Sequence, residues 1–282
     1  MPESLDDVLY ELALANRILA NEGILDAFGH VSVRHPGDPS RYLMSRSRGP
    51  ELVEPADLLE YNLDSEPIVP PTVRLYSERV IHGEIFKARP EVMAVCHHHS
   101  PAVLPFCITG KKLRPIYHLG GVIGDDAPFW DQRDEFGDTN LLVVKPEEGR
   151  SLARALGANW VVLMRRHGAT VAGTSIRDLV FRTIYSCRNA EYQLQAEALG
   201  AISPLNANEA RMAGELHHQP GPINRAWEYW VRRVEKKGEA PARPTRARSG
   251  AAGVKKSSAR RSRPAARGAG TKKKTARKGT RR

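Results

Sequence analysis

The stretch Val92-Met-Ala-Val-Cys-His97-His98-His99-Ser100-Pro101 reads as a buried strand running out into three consecutive histidines. Alternate side chains of an extended chain leave on opposite faces, so His97 and His99 point together while His98 points away. Two imidazoles on one face at the end of an apolar strand suit a divalent metal, and this reading is favoured over a merely hydrogen-bonded strand end. His98 by itself reads as a supporting or structural residue. A further ring nitrogen is available at the end of the second very apolar run, where Arg166-His167-Gly168 sets a histidine before a residue at which a chain can turn sharply.

Around these two runs, helical and extended patterns alternate. Apolar or alternating segments at 31–34, 41–45, 92–97, 141–144, 160–165 and 170–172 predict strands. Helices are predicted over 76–88, 147–156, 175–199 and 222–236, with Pro222 near the start of the last, where a missing N–H costs little. Ser4 and Asp7 form a capping-box pattern, and Leu5, Val8, Leu9, Leu12, Ile18 and Leu19 share one helical face behind it. The order of elements predicts an α/β fold around a central sheet without settling its topology. Gly120, Gly121 and Gly124 do not make a GxGxxG turn, so a dinucleotide fold has no support.

The charge is split along the chain. Of 43 Lys and Arg residues in 282, 16 fall within 241–282, which hold no Asp or Glu. Residues 1–240 therefore carry 27 basic against 32 acidic side chains, a net of −5, although the whole chain is formally +11. Beyond Gly238 there is no aromatic residue and Val254 is the one larger aliphatic. Such a segment cannot bury enough apolar surface to offset its ordering entropy, so a catalytic body at 1–238 and a disordered Lys/Arg-rich tail at 239–282 are expected. The tail can supply salt-sensitive phosphate contacts to DNA, RNA or another polyanion, or serve only as a solubilising appendage. No apolar run approaches a membrane span, and the opening residues carry no secretory pattern. Three cysteines without metal spacing (Cys96, Cys107 and Cys187) read as reduced thiols of a cytoplasmic protein.

Other polar clusters have two readings each. Glu78 and His82 lie four apart on a predicted helix, either as an exposed pair or as a face bearing a fourth ligand or a general acid/base. His30 sits at a turn before a strand and taken alone is structural. Ser45-Arg46-Ser47-Arg48-Gly49 combines hydroxyls, guanidiniums and a glycine, which suits a carboxylate or phosphate, or else a solvated turn. His118 follows a predicted strand and can donate a proton, though its bland reading is the better one in isolation.

Taken together, Gly29-His30-Val31-Ser32-Val33-Arg34, Ser77-Glu78 with His82, His97-His98-His99 and Arg166-His167-Gly168 resemble the class II aldolase/adducin family over about residues 5–220. The resemblance implies a three-layer α/β/α domain with a mainly antiparallel sheet, assembled as a homotetramer with active sites between subunits. It also implies one divalent metal per subunit (manganese, zinc or cobalt) on His97, His99 and His167, with Glu78 as ligand or acid/base. Where sugar-phosphate aldolases of the family have Gly-Asn, two serines and an interface tyrosine, this chain has Gly29-His30, Tyr76-Ser77 and His118.

Those departures resemble the family's metal-dependent decarboxylases of hydroxy-substituted aromatic or pyridine dicarboxylates, such as 3-hydroxy-2-methylpyridine-4,5-dicarboxylate. The resemblance then implies a small carboxylate substrate, with His30, Ser45, Arg46, Ser47 and Arg48 contacting it. Glu78 or His118 would protonate the carbon that loses carbon dioxide. The alternatives are an aldolase acting on a sugar or sugar phosphate through a metal-bound enediolate, and a non-enzymatic adducin-like scaffold or polyanion-binding protein.

Overall fold

The computed structural model describes residues 4–243. In chain order it contains α1 (Leu5–Asn21), β1 (His30–Arg34), β2 (Arg41–Ser45), β3 (Leu58–Asn62), α2 (Arg79–Ala88), β4 (Ala94–His98), α3 (Leu104–Thr109), β5 (Phe129–Trp130), α4 (Arg133–Phe136), α5 (Pro146–Leu156), β6 (Val161–Met164), β7 (Gly168–Gly173), α6 (Ile176–Leu199), α7 (Ala207–His217) and α8 (Pro220–Lys236). Short 3-10 turns at Pro50–Leu52 and Pro55–Asp57 precede β3, and a third spans His118–Ile123.

The strands form one sheet in the order β3-β2-β1-β4-β7-β6-β5. All pairings are antiparallel except β5 with β6. Alternation along each strand separates two cores. On one face Val31, Val33, Cys96, Leu163 and Val171 pack against α1, α3, α6 and α8. On the other, Met44, Val95, Val162 and Ala172 pack against Val80, Ile81 and Ile85 of α2 and Leu152 and Leu156 of α5. This is the expected three-layer α/β/α arrangement with a mainly antiparallel sheet. Leu12, Ile18, Leu163 and Val171 lose all contact with water, each contributing about 1.5–3 kcal/mol.

Register does the positioning. His30 pairs with His97 across β1–β4, and His97 pairs with Thr170 across β4–β7. Directly opposed residues share a face, so His30, His97 and Thr170 make one polar row among apolar ones. Ser4 caps α1, its Oγ accepting from the Asp7 amide at 3.2 Å and donating to Asp7 Oδ2 at 2.6 Å, which is the side-chain half of the expected capping box.

Several local expectations change. Residues 141–144 are apolar but not a strand: Leu141 takes φ +68° and the Val143 amide turns to Glu78. β3, α3, β5, α4 and α7 lie outside the predicted segments, although α7 carries a capping box between Asn206 and Glu209. Trp227 and Trp230 of α8 are buried in the chain's own core, while Tyr229 on the same helix is exposed.

The body also continues past Gly238. The Glu239 carbonyl accepts from Arg17, the Ala242 amide donates to Glu54, and the Arg243 guanidinium lies 4.3 Å from the Tyr10 ring centre. The rest of the expected tail, from residue 244, lies outside the described residues. Among the described residues no helix is long and apolar enough to cross a membrane, and Cys96, Cys107 and Cys187 are all free and buried.

Candidate metal and substrate site

One donor atom from each of Glu78, His97, His99 and His167 falls within 4.8 Å of all the others. β4 supplies His97 and the residue just past its end supplies His99, the extended chain turning both to the same side with their Nε2 atoms 3.0 Å apart. Their outer nitrogens have partners of their own: His97 Nδ1 lies 3.2 Å from Thr170 Oγ1, and His99 Nδ1 lies 3.5 Å from Asp26 Oδ1. Such outer contacts fix the tautomer and aim the inner nitrogen.

His167 arrives from the tight turn between β6 and β7, where Arg166 adopts φ +53°. The next residue is glycine because a Cβ there would stand 2.3 Å from the His98 carbonyl oxygen. His98 itself points into the opposite layer, with Nε2 3.9 Å from Cys187 Sγ, and belongs to no part of the cluster.

Glu78 occupies the N-cap position of α2, yet its side chain caps nothing. Instead Oε1 accepts the Val143 amide at 2.9 Å and lies 3.5 Å from His167 Nε2, with Oε2 3.8 Å from His97 Nε2. Burial alone would push this carboxyl up. The His167 hydrogen bond, the histidines around it and the Val143 amide outweigh that and bring it down to about 2. Burial meanwhile holds the His97 imidazole well below its ordinary value. A carboxylate grouped with histidine nitrogens is the nitrogen/oxygen donor set that zinc, manganese and cobalt accept.

His30 and His82 form a second, linked unit. His30 Nδ1 lies 2.7 Å from His82 Nε2, and His82 Nδ1 lies 2.6 Å from Ser32 Oγ. Burial takes His30 well below the usual range and His82 down to about 3, so both rings are neutral. The helical spacing of Glu78 and His82 thus serves two neighbouring networks rather than one ion pair.

A cleft of about 670 Å³ opens over the cluster. Its lining includes Phe28, His30, Ser47, Arg48, Arg74, Tyr76, Glu78, His99, Leu142 and His167. The residues expected to contact substrate divide here. His30, Ser47 and Arg48 line the cleft, whereas Ser45 is buried beside Tyr76 and Arg46 turns to Asp57, with Nε 2.7 Å from Oδ1. Arg48 Nη1 reaches the same carboxylate at 2.8 and 3.0 Å. The Tyr76 hydroxyl donates to the Arg48 carbonyl, closing the loop on itself.

His118 is not brought to this cleft by its own chain. It is exposed, with Nδ1 3.0 Å from His217 Nε2, and lines a separate cavity with Phe181, Tyr185 and Tyr229. Three contributors went unnoticed in the sequence: Asp57, Arg74 and the Val143 amide. Only Asp57 had a local signal, lying three residues after Glu54 at the start of a proline-led turn.

Residues 10–194 match the family model described as Class II Aldolase and Adducin N-terminal domain. Decarboxylase tropJ of Talaromyces stipitatus is 36% identical over 245 residues, covering 78% of this chain and 91% of its own. A 3,4-dihydroxyphthalate decarboxylase of Arthrobacter keyseri is 29% identical over 241 residues, covering 79% and 92%. Among solved structures, L-fuculose 1-phosphate aldolase from Glaciozyma antarctica PI12 shares the fold, with a TM-score of 0.70 at 24% identity over 84% of this chain and 93% of that one.

Proposed function

The chain belongs to the class II aldolase and adducin family, and from that premise we propose that it is a divalent-metal-dependent decarboxylase of a hydroxy-substituted aromatic carboxylate. One observation carries the reading: the Glu78, His97, His99 and His167 cluster opens into a cleft whose other charged lining groups are the guanidiniums of Arg48 and Arg74. Two such cations beside a metal site select an anion, and Phe28 and Leu142 offer apolar surface to a ring.

The residues divide the work. His97, His99, His167 and Glu78 would hold a manganese, zinc or cobalt ion, which when bound supplies stabilisation for negative charge next to the breaking bond. In the reaction the bond from ring carbon to carboxylate breaks, its electron pair stays on the ring carbon, and a proton takes the vacated place. No oxidant or reductant is needed. Arg48, held from behind by Asp57, meets an anionic substituent with charge-assisted donors. Glu78 lines the cleft as a carboxylate, so it first takes up the proton that the substrate hydroxyl loses and then delivers it to the ring carbon. His30 adds an uncharged ring and no competing cation.

The wider setting is part of the same proposal: a cytoplasmic homotetramer in which His118 reaches the cleft of a neighbouring subunit. The direct test is carbon dioxide release by the metal-loaded protein from 3,4-dihydroxyphthalate and related hydroxy-aromatic carboxylates. Aldol cleavage of sugar phosphates is assayed beside it. Release from the aromatic panel alone is expected; cleavage of a sugar phosphate with no carbon dioxide release would overturn the reading in favour of an aldolase.

A further inference from the structure

Cationic groups around the cleft are not equally available. Arg46 does not line it, and both Arg46 and Arg48 are tied to Asp57. Those two guanidiniums and one carboxylate amount to a single net positive charge, with Arg46 Nε and Arg48 Nη1 already engaged. Arg74 differs. Its backbone is fixed, since the Arg74 carbonyl accepts from the Ser47 amide at 2.8 Å. Its side chain lines the cleft and is exposed, and among the described residues its guanidinium has no hydrogen-bond or ion-pair partner.

The lining thus contains one committed cation, Arg48, and one free cation, Arg74, with Glu78 as the sole carboxylate among the lining groups. A substrate with one carboxylate placed at the metal cluster leaves Arg74 unsatisfied. A second carboxylate on the same ring would answer it. Phe28, 72% exposed at the edge of this cleft, offers a ring face to the apolar body between the two anionic ends.

We propose that Arg74 recognises the carboxylate that the substrate keeps, and so sets a preference for aromatic dicarboxylates over monocarboxylates. This rests on the decarboxylase reading of the cleft. A planar guanidinium meets a carboxylate through two parallel N–H donors, a geometry that an amide or an ammonium cannot reproduce.

The test uses the full-length, metal-loaded protein with Arg74→Gln and Arg74→Lys. Two substrates are compared: 3,4-dihydroxyphthalate, and 2,3-dihydroxybenzoate, which keeps a carboxylate beside a hydroxyl but lacks the second carboxylate. Arg74→Gln should lose about tenfold or more in kcat/KM on the dicarboxylate, chiefly through KM, with little change on the monocarboxylate. Arg74→Lys should recover only part of the loss. In parallel, calorimetric binding of phthalate and benzoate, neither of which has a hydroxyl, reads carboxylate recognition without turnover. Arg74→Gln should weaken phthalate binding and spare benzoate. Equal losses on both substrates, or unchanged phthalate binding, would overturn the assignment. If the unaltered protein released no carbon dioxide while Arg74→Gln still abolished phthalate binding, the decarboxylase reading would fall and the Arg74 assignment would stand.

Discussion

Asp57 holds two guanidiniums with one carboxylate: Arg46 Nε stands 2.7 Å from Oδ1, and Arg48 Nη1 stands 2.8 Å from Oδ2. The same group accepts the Glu54 amide at 2.9 Å, so the 3-10 turn before β3 and the loop after β2 behave as one unit. Burial opposes the charge on Asp57. The Glu54 amide and the two arginines prevail, and the carboxyl is held below its usual range.

Replacing Asp57 with Asn should therefore free Arg48 as well as weaken the turn. Both arginines are about a third exposed, so solvent screens the pairing and the stability loss should be only about 1 kcal/mol. The KM for an aromatic carboxylate should rise severalfold with kcat nearly unchanged. Urea unfolding and steady-state kinetics check both parts. An unchanged KM would mean that Asp57 serves the turn alone.

His97→Ala, His99→Ala and His167→Ala should each purify with reduced divalent metal and lose nearly all turnover, because the remaining donors cannot fix an open site. His98→Ala should differ. Its ring lies in the opposite layer, so it should lower stability while leaving metal content intact. Elemental analysis of the four purified variants, with carbon dioxide assays, decides the matter. Full metal in His97→Ala would remove that ligand from the set.

Away from the cleft, Asp178 should contribute to acid sensitivity. Its carboxylate accepts from Arg182 Nε at 2.9 Å and the Thr174 amide at 2.8 Å, and it lies 2.9 Å from His218 Nδ1. Burial would raise this carboxyl, but the His218 hydrogen bond and the Arg182 charge pull it well below the ordinary value. A depressed folded value means that the pair's stabilisation is complete above the unfolded value near 3.9 and fades as pH falls toward the folded one. Asp178→Asn should cost about 3 kcal/mol at pH 7, since it leaves the Arg182 guanidinium buried and unpaired. The gap between variant and parent should narrow at pH 3. Unfolding curves at the two pH values test it; a constant gap would refute the linkage.

The basic segment should separate cleanly from catalysis if the cut is placed by structure. Removing residues 244–282 deletes 15 of the 16 positive charges after 240, so retention on DNA or heparin should vanish and turnover should persist. Cutting at Gly238 should behave worse. It also removes the Glu239 and Ala242 contacts to Arg17 and Glu54, lowering stability by about 1 kcal/mol. A salt-gradient elution of the three proteins, with parallel thermal melts, distinguishes the two cuts. Undiminished DNA retention after removal of 244–282 would place the binding surface on the acidic body.

What the residue order alone determined is everything that depends on local periodicity. The alternation over 92–99 turns His97 and His99 to one side, the glycine after His167 permits the tight turn, and the helices near 147–156 and 175–199 fall where their apolar stripes lie. Together with the family resemblance these residues indicated the fold and the four donors that the fold gathers, because a strand's two-residue repeat and a helix's stripe are short-range properties. Tertiary structure decided what depends on chain crossings. Only the register of β1, β4 and β7 puts His30, His97 and Thr170 in one row. Only the packing of the 55–57 turn beside the 45–48 loop commits Arg46 and Arg48 to Asp57, leaving Arg74 as the free cation among the cleft's lining residues. The apolar run 141–144 became a loop because its Val143 amide is needed by a buried carboxylate 65 residues away. His118 faces another cavity because α6 and α7 hold it beside His217. A charged side chain is satisfied by whatever partner folding brings within reach, and no local pattern records which partner that is.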